Sequence, residues 1–281
     1  MQGSIRTYCI IGDPINHSLS PGMQNAAFNA LGLNCTYIAF KVPASELRES
    51  IESLRSINIS GFNVTVPHKV GVMDHLYELD ATAKKAAAVN TVDNIEGIFK
   101  GYNTDIHGFI EPLRKRQVNF AGMHVLLLGA GGAARAVVAA LSEEGGIAKV
   151  VIANRDIERA NALAKMGLDL GLKCETIALD KAQEVSPTSD LIVNSTTLGL
   201  NNEPSMIDHK HIKKGSIVYD LVYRPIVTDL IENAKYAQAS VVYGYEMLIE
   251  QGAKAFEIWT GIPAPRDAMK KNLLGIFGEP T

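Results

Sequence analysis

The sequence contains little cysteine, and its cysteines do not occur in pairs. Cys9, Cys35 and Cys174 are scattered along 281 residues and form no Cys-x-x-Cys motif. This spacing argues against both a disulfide framework and a zinc site, and it suits a reducing cytoplasm. We therefore expect a cytoplasmic protein that requires no metal.

Long apolar segments and an excess of positive charge are absent as well. No run of 18 apolar residues occurs, which argues against a membrane-spanning helix, and Met1 to Arg6 shows no signal-peptide pattern. The formal net charge is −3, so no general basic field attracts nucleic acid or an anionic membrane. An anionic ligand would have to be held by local donors and a few well-placed cations.

Short apolar runs alternate with helical patterns in the first part of the chain, as expected of an α/β fold with helices on the faces of a sheet. A hairpin is predicted from Val89–Val92 and Ile98–Tyr102, connected through Asp93–Gly97. The other predicted elements of this part are the strands Tyr8–Gly12, Thr36–Phe40 and Gly61–Val66 and the helices Pro21–Leu31 and Ala44–Ser56.

A second unit begins near Phe120, where continuous apolar strands alternate with helices in the manner of a parallel sheet. The last helical pattern, Glu246–Thr260, is apolar at helical spacing and could pack on either unit. The predicted strands of the second unit are His124–Leu128, Lys149–Ala153, Leu191–Asn194 and Ile217–Asp220, and its helices are Ala133–Leu141 and Ile157–Met166.

A glycine motif lies between the first strand and the first helix of this second unit. Gly129-x-Gly131-x-x-Ala134 has the spacing that allows a tight turn, a close approach of backbone N–H groups to a pyrophosphate, and close helix–strand packing. A purely structural turn is the alternative. The strand before the motif and the helix after it favour dinucleotide binding.

The end of the next strand bears on which dinucleotide is bound. Asn154, Arg155 and Asp156 follow the strand, and Arg159 comes one helical turn later. Two guanidinium groups can clamp a 2′-phosphate and so favour NADP. Asp156 complicates this interpretation, because a carboxylate repels the phosphate, and a surface cluster of Arg155, Asp156 and Arg159 is the alternative.

The first unit carries polar side chains beyond those that a plain fold needs. Ser18 and Ser20 precede a predicted helix; Ser20 alone could cap it, but the two hydroxyls together suit an anion such as a carboxylate. Asn63 and Thr65 are predicted to lie on the same face of a strand, with Lys69 just beyond its end. A lone lysine is usually a solvated surface charge, but its place in this cluster makes Lys69 a candidate for chemistry.

Two further groups of polar residues, Asn90-Thr91 and Asn103 to Asp105, end other predicted strands. Asp105 has two interpretations. It could be a helix cap ahead of Ile106–Leu113, which residue preference favours, or it could be a carboxylate that orients Lys69 and tunes its proton affinity.

Taken in order, these motifs resemble those of the shikimate dehydrogenase family over nearly the whole chain. One departure is Asp156, which stands where NADP-using members commonly have threonine. The matching segments are Gly12–Pro21, Gly61–Lys69, Ala88–Thr91, Gly101–Asp105, Gly129–Ala136, Asn194–Thr196, Tyr219–Tyr223, Gly244–Leu248 and Gln251–Ala253.

The resemblance implies an α/β protein of two domains, with a substrate-binding domain at 1–108 plus 246–281 and a Rossmann-type dinucleotide-binding domain at 109–245. The C-terminal helix would return to the first domain. The implied catalytic pair is Lys69 and Asp105. The implied substrate-binding residues are Ser18, Ser20, Asn63, Thr65, Asn90, Tyr223 and Gln251, and the implied cofactor-binding residues are Gly129, Ala130, Gly131, Gly132, Ala133, Asn154, Arg155, Arg159, Leu221 and Gly244.

The implied activity is the reversible reduction of 3-dehydroshikimate to shikimate with NADPH, a step of aromatic amino acid biosynthesis. The expected partner is this small molecule, without nucleic acid or membrane, in a monomer or a homodimer. An NAD-dependent quinate/shikimate dehydrogenase is the alternative that Asp156 favours. A non-catalytic metabolite sensor is a second alternative, disfavoured because Lys69 and Asp105 are both present.

Overall fold

The computed structural model describes residues 5–277, and these form two compact units. The first unit contains the described residues up to Gly108 together with those from Ile249 onwards, and the second contains Phe109–Leu248. Two short segments lie outside the described range, namely residues 1–4 and residues 278–281. The first belongs to the segment where no signal peptide is expected, and the second belongs to the predicted first domain.

Strands and helices alternate along most of the chain. The strands are β1 Arg6–Gly12, β2 Cys35–Lys41, β3 Gly61–Val64, β4 Glu78–Leu79, β5 Thr91–Ile95, β6 Ile98–Tyr102, β7 His124–Leu128, β8 Lys149–Asn154, β9 Cys174–Ala178, β10 Leu191–Asn194, β11 Ile217–Asp220 and β12 Ser240–Tyr243. The helices are α1 Ser20–Ala30, α2 Leu47–Ser56, α3 Ala81–Ala86, α4 Asp105–Lys115, α5 Gly132–Glu144, α6 Ile157–Asp169, α7 Ala182–Val185, α8 Asp229–Tyr236, α9 Gly244–Thr260 and α10 Arg266–Phe277.

The first unit is built on a mixed sheet with the strand order β2-β1-β3-β5-β6-β4. β1 pairs in parallel with β2 and β3, whereas β5 is antiparallel to both β3 and β6. On one face the core contains Ile11, Phe62, Val92 and Phe99, and apolar residues of α2 pack with them. The carboxyl ends of β1 and β3 therefore lie side by side, followed by the segments that carry Ser18 and Lys69.

The C-terminal segment of the chain packs on the first unit, as expected. Trp259 of α9 is buried, its ring stacks on Tyr8 at a centroid distance of 4.9 Å, and its indole N–H donates to the carbonyl oxygen of Val92 at 3.0 Å. Gly61 lies beneath this indole, where a Cβ would approach Nε1 to 2.5 Å. The indole thus ties α9 to both β1 and β5, which confirms the predicted return.

The second unit is a fully parallel sheet with the order β12-β11-β10-β7-β8-β9. The chain runs outward from β7 through β8 and β9, then returns to the other side of β7 and continues from β10 to β12. This is the order of a doubly wound dinucleotide-binding sheet, and its direction of winding reverses between β7 and β10. Ligands of such sheets bind at the carboxyl ends of the strands on either side of the reversal.

Two of the differences between the predicted and the observed elements of the first unit bear on the candidate site. β3 ends at Val64 instead of Val66, because the Thr65 carbonyl accepts from the His68 N–H at 2.9 Å and begins a turn. The hairpin strand begins at Thr91, not Val89, and continues to Ile95, because Glu96 and Gly97 alone make the connection, both with positive φ. Thr65 consequently follows the strand and does not share a face of it with Asn63.

Candidate active site

Lys69 and Asp105 meet in the first unit although 36 positions separate them. The Lys69 Nζ donates to the Asp105 Oδ2 at 2.5 Å, and their side chains are 15% and 7% exposed. Lys69 belongs to the turn after β3, and Asp105 is the first residue of α4. Asp105 thus lies inside the helix and pairs with Lys69, so the interpretation of Asp105 as a cap ahead of Ile106 is wrong.

Asn90 holds the second oxygen of this carboxylate. The Asn90 Nδ2 donates to the Asp105 Oδ1 at 2.8 Å and to the Thr104 hydroxyl at 2.9 Å, and it lies 3.4 Å from the Gln251 Oε1. The Asn90 Oδ1 accepts from the Thr104 N–H at 2.7 Å. Because its amide is occupied within the protein, Asn90 orients Asp105 and contacts Gln251, which α9 brings to this cluster.

The remaining predicted substrate residues of the first unit surround the same strand ends. Ser20 is buried as the first residue of α1, and its N–H lies 3.4 Å from the hydroxyl of half-buried Ser18. The residue at the cap position is Leu19, which makes no side-chain cap bond, so the alternative of Ser20 as a cap is wrong. Asn63 is buried at the end of β3, and half-buried Thr65 packs its methyl group against Gly12.

The glycine motif of the second unit forms an open turn at the carboxyl end of β7. Gly129 has a φ of +105°, and a Cβ there would approach the Ser195 Oγ to 2.7 Å. Gly131 is exposed at the cap position of α5 without a side-chain cap bond, and a Cβ built on it would meet nothing within 4 Å. Uncapped N–H groups beside open space at a helix N-terminus suit a phosphate group. Ala130, Gly132 and Ala133, all half-buried, complete this turn.

Three other predicted ligand residues lie at the β11 and β12 ends of the same sheet. Gly244 begins α9 so close to the preceding loop that a Cβ would lie 2.7 Å from the Leu221 carbonyl oxygen. Leu221 directly follows β11, and Tyr223, half-buried two residues later, has its pKa raised by burial. These residues belong to the second unit together with the glycine turn.

The cations after β8 are not equivalent. Asp156 caps α6 by accepting from the N–H groups of Glu158 and Arg159, and its other oxygen pairs with the Arg159 Nε at 3.2 Å. Asn154 donates to the Asp156 carbonyl at 2.8 Å. Arg155 is exposed and forms no ion pair with the residues that the structure describes. The surface cluster therefore comprises Asp156 and Arg159, without Arg155.

A buried carboxylate, Asp220, joins the strand ends of the second unit and was not foreseen from its residue pattern. The Asp220 Oδ1 accepts from the Asn194 Nδ2 at 2.9 Å and from the Val222 N–H at 3.0 Å, and the Oδ2 accepts from the Thr228 hydroxyl at 2.6 Å. Burial raises the pKa of Asp220 to about 6, although these three donors lower it. A charged residue ending the apolar run Ile217–Asp220 was the available sequence signal.

Within residues 5–277 no group of three His, Cys, Asp or Glu side chains is placed to hold a metal ion, and no helix has the length and apolar character needed to cross a membrane. The buried ammonium–carboxylate pair, the doubly wound sheet and the open glycine turn together define the class of two-domain dinucleotide-dependent oxidoreductases.

Comparison with known proteins identifies the family. The description "Shikimate dehydrogenase substrate binding domain" matches residues 10–92, "Shikimate / quinate 5-dehydrogenase" matches 112–221, and "Shikimate 5'-dehydrogenase C-terminal domain" matches 244–274. A protein named shikimate dehydrogenase (NADP(+)) from Nitrosopumilus maritimus is 48% identical over 97% of this chain and 99% of its own. The chain belongs to the shikimate dehydrogenase family.

Solved structures agree with this assignment. The crystal structure of shikimate dehydrogenase from Aquifex aeolicus has a TM-score of 0.87 at 38% identity and covers 95% of this chain and 97% of its own. Shikimate 5-dehydrogenase from Thermus thermophilus, solved in complex with NADP(H) and shikimate, has a TM-score of 0.84 at 36% identity, covering 95% and 98%. The two-domain α/β fold class is confirmed.

Asp220 predicts a pH dependence of stability. Its pKa of about 6 in the folded protein exceeds the ordinary value of 3.8, so the unfolded chain loses this proton first as the pH rises. The contribution of Asp220 to stability is therefore fully present below about pH 4 and is lost as the pH rises through 6, a change of roughly 3 kcal/mol. Asp220→Asn keeps an acceptor for Asn194 and removes the ionisation.

The measurement is the free energy of unfolding in urea, determined at intervals from pH 4 to pH 7.5. As the pH rises across this range, we expect the free energy of unfolding of wild type to fall relative to that of Asp220→Asn. Asp180→Asn, a change at an exposed carboxylate, is the matched control and should give curves parallel to wild type. Parallel curves for Asp220→Asn would show that Asp220 does not titrate in this range.

Proposed function

We propose that the protein catalyses the reversible, NADP-dependent reduction of 3-dehydroshikimate to shikimate. The observation that carries the proposal is the buried pair of Lys69 and Asp105, held by Asn90 in a chain of this family. An ammonium group that is largely withdrawn from water, oriented by a carboxylate and bordered by polar side chains suits proton transfer to a developing oxyanion.

Lys69 is the proposed acid and base of the reaction. When held at the glycine turn Gly129–Ala133, NADPH would supply the hydride for the reduction of the C3 carbonyl group. Lys69 stabilises the negative charge that develops on the carbonyl oxygen and donates a proton from Nζ to that oxygen; in the oxidation it accepts the proton back. Asp105 keeps the ammonium oriented, and Asn90 keeps the carboxylate from turning away.

The substrate would be held by polar side chains of the same unit. Ser18 and Ser20, beside the N-terminus of the eleven-residue helix α1, suit the carboxylate because the helix end carries partial positive charge. The proposed ligands of the ring hydroxyls in this unit are Asn63, Thr65, Asn90, Asp105 and Gln251, and Tyr223 is a separate candidate in the second unit. For Asn90 the support is indirect, since its amide is already occupied by protein partners.

The proposed cofactor site is the glycine turn Gly129–Ala133 with the loops that contain Leu221 and Gly244. The N-terminus of α5 would face the pyrophosphate. Arg155 is the proposed partner of the 2′-phosphate, because Asp156 is engaged with Arg159 and the cap of α6. Asn154 and Arg159 would flank the adenosine ribose.

Cellular location and assembly are part of the same proposal. The three cysteines are free, and burial raises the pKa of the Cys9 thiol to about 12 and that of Cys174 to about 11. Thiols kept protonated in this way are poor nucleophiles, and free, scattered cysteines suit a reducing cytoplasm. We propose a cytoplasmic monomer or homodimer that binds this small-molecule substrate.

The decisive experiment follows the absorbance of the reduced cofactor with shikimate and with quinate, each in the presence of NADP and of NAD. We expect the highest kcat/KM for shikimate with NADP. Asp156 motivates the rival, an NAD-dependent quinate/shikimate dehydrogenase. A higher kcat/KM with NAD, together with comparable turnover of quinate, would favour the rival, and no turnover of any combination would contradict both.

Removal of the ammonium group tests the role of Lys69. We expect Lys69→Met to lower kcat by roughly 10²- to 10⁴-fold, the usual range for a general acid–base group. The single variant leaves Asp105 buried without its cation, which destabilises a protein by about 3–5 kcal/mol. The double variant Lys69→Met/Asp105→Asn removes both charges, so it should regain thermal stability without regaining kcat. A normal kcat in either variant would refute the assignment.

The cofactor assignment predicts a selective effect of Arg155→Ala. Loss of one charge-assisted hydrogen bond costs about 1.5–3 kcal/mol, so the KM for NADP should rise roughly 10- to 100-fold. The KM for NAD should not change, because NAD lacks the 2′-phosphate. Arg48→Ala, at an exposed cation of the first unit, is the control. An equal rise for both cofactors would contradict this role of Arg155.

A further inference from the structure

Tyr37 is a buried tyrosine whose hydroxyl contacts Asn63, one of the proposed substrate-binding residues of the first unit. It lies on β2 with 1% of its surface exposed, and its hydroxyl donates to the Asn63 Oδ1 at 2.6 Å. The Asn25 side chain bonds both the N–H and the carbonyl of Tyr37, at 2.9 and 2.8 Å. The tyrosine is therefore held by its backbone as well as by its ring.

The hydrogen bonds of Asn63 limit what it can offer to a ligand. Its Nδ2 donates to the Asn90 carbonyl at 3.0 Å and to the Thr91 hydroxyl at 2.9 Å, which uses both amide hydrogens. Only Oδ1 keeps capacity for another partner, as an acceptor with a second lone pair. The hydroxyl of Tyr37 fixes the direction of this oxygen, so Asn63 can accept from a substrate hydroxyl but cannot donate to one.

The proton of the Tyr37 hydroxyl is committed to Asn63. Burial raises the pKa of Tyr37 well above 10, so the phenol stays protonated. An amide oxygen can only accept, so Tyr37 is the donor of the hydrogen bond between the two side chains.

We propose that Tyr37 is a positioning residue of the substrate site, which acts through Asn63 to present a carbonyl oxygen to a ring hydroxyl of the substrate. This inference rests on the proposed function. It assigns no chemistry to Tyr37 itself, because the proton of its hydroxyl is donated to Asn63. Without this hydroxyl, the Asn63 oxygen loses the donor that orients it.

The first test is Tyr37→Phe, which removes one oxygen atom and keeps the ring that packs 6.0 Å from Trp259. We expect the KM for shikimate to rise about three- to tenfold, as for the loss of one neutral hydrogen bond. The kcat and the KM for NADP should stay at wild-type values, a selective result that general destabilisation would not give. Tyr8→Phe is the matched control, since Tyr8 is equally buried and also packs on Trp259.

The second test is a pair of double-mutant cycles. If Tyr37 acts through Asn63, Tyr37→Phe should have no further effect on the KM for shikimate in an Asn63→Ala background. In a Ser20→Ala background its effect should persist. Additive effects of Tyr37→Phe and Asn63→Ala, or an unchanged KM in Tyr37→Phe, would overturn the proposal.

Calorimetric titration of wild type and Tyr37→Phe with shikimate separates the two proposals. If wild type binds and oxidises shikimate and Tyr37→Phe binds it equally well, only the role of Tyr37 is overturned. If wild type neither binds nor oxidises shikimate, the proposed function is overturned and, with it, the role of Tyr37. A weaker affinity of Tyr37→Phe, matching its rise in KM, is the expected result.

Discussion

The ion pair between Lys69 and Asp105 is the interaction around which Asn90 and Thr104 of the first unit are arranged. Removing two charges from water is costly, and their attraction offsets this cost only where further hydrogen bonds satisfy them. Here Asn90 binds the second carboxylate oxygen, and Thr104 in turn binds Asn90. A fold that needed only stability could fill this place with apolar side chains, so the pair is best explained by chemistry.

The two units present their polar groups in different ways. In the first unit side chains form the candidate site, and hydrogen bonds from neighbours orient several of them, as Tyr37 orients Asn63. In the second unit the backbone forms it, at the open turn around Gly131, and buried Asp220 ties Asn194 to the loop after β11. Side chains distinguish one small substrate from another, whereas backbone N–H groups suit the phosphate groups that all dinucleotides share.

The sequence predicted the second sheet better than the first. His124–Leu128, Leu191–Asn194 and Ile217–Asp220 were predicted with their observed bounds, because continuous apolar runs mark strands that are buried on both faces. β9 and β12, which are partly exposed strands at the two edges of that sheet, were missed. β9 lacks such a run, whereas β12 contains the short run Val241–Tyr243, which the prediction overlooked. In the first unit β3 was predicted to run on to Val66, because the hydrogen bond that turns the chain at Thr65 has no residue signature.

The sequence predicted which residues belong to the candidate site better than it predicted the contacts between them. Asp105 could be read from its surroundings as a cap or as a partner of Lys69, and only the fold brings these two side chains together. Tyr37 was not foreseen at all, because a tyrosine in a strand is ordinary and its importance lies in a bond to Asn63, 26 positions away. Resemblance to a family supplies the residues, whereas long-range hydrogen bonds decide their orientation.

Asp156 shows how a local hydrogen bond changes an electrostatic argument. As an isolated carboxylate it would repel a 2′-phosphate and oppose NADP. In the structure one of its oxygens accepts from two N–H groups at the start of α6, and the other pairs with Arg159. The N-terminus of α6 and the Arg159 guanidinium offset much of the negative charge of Asp156, whereas the positive charge of Arg155 is not offset by an ion pair within residues 5–277. Arg155 therefore remains an exposed cation beside a carboxylate that is already engaged, and a carboxylate at this position is compatible with NADP.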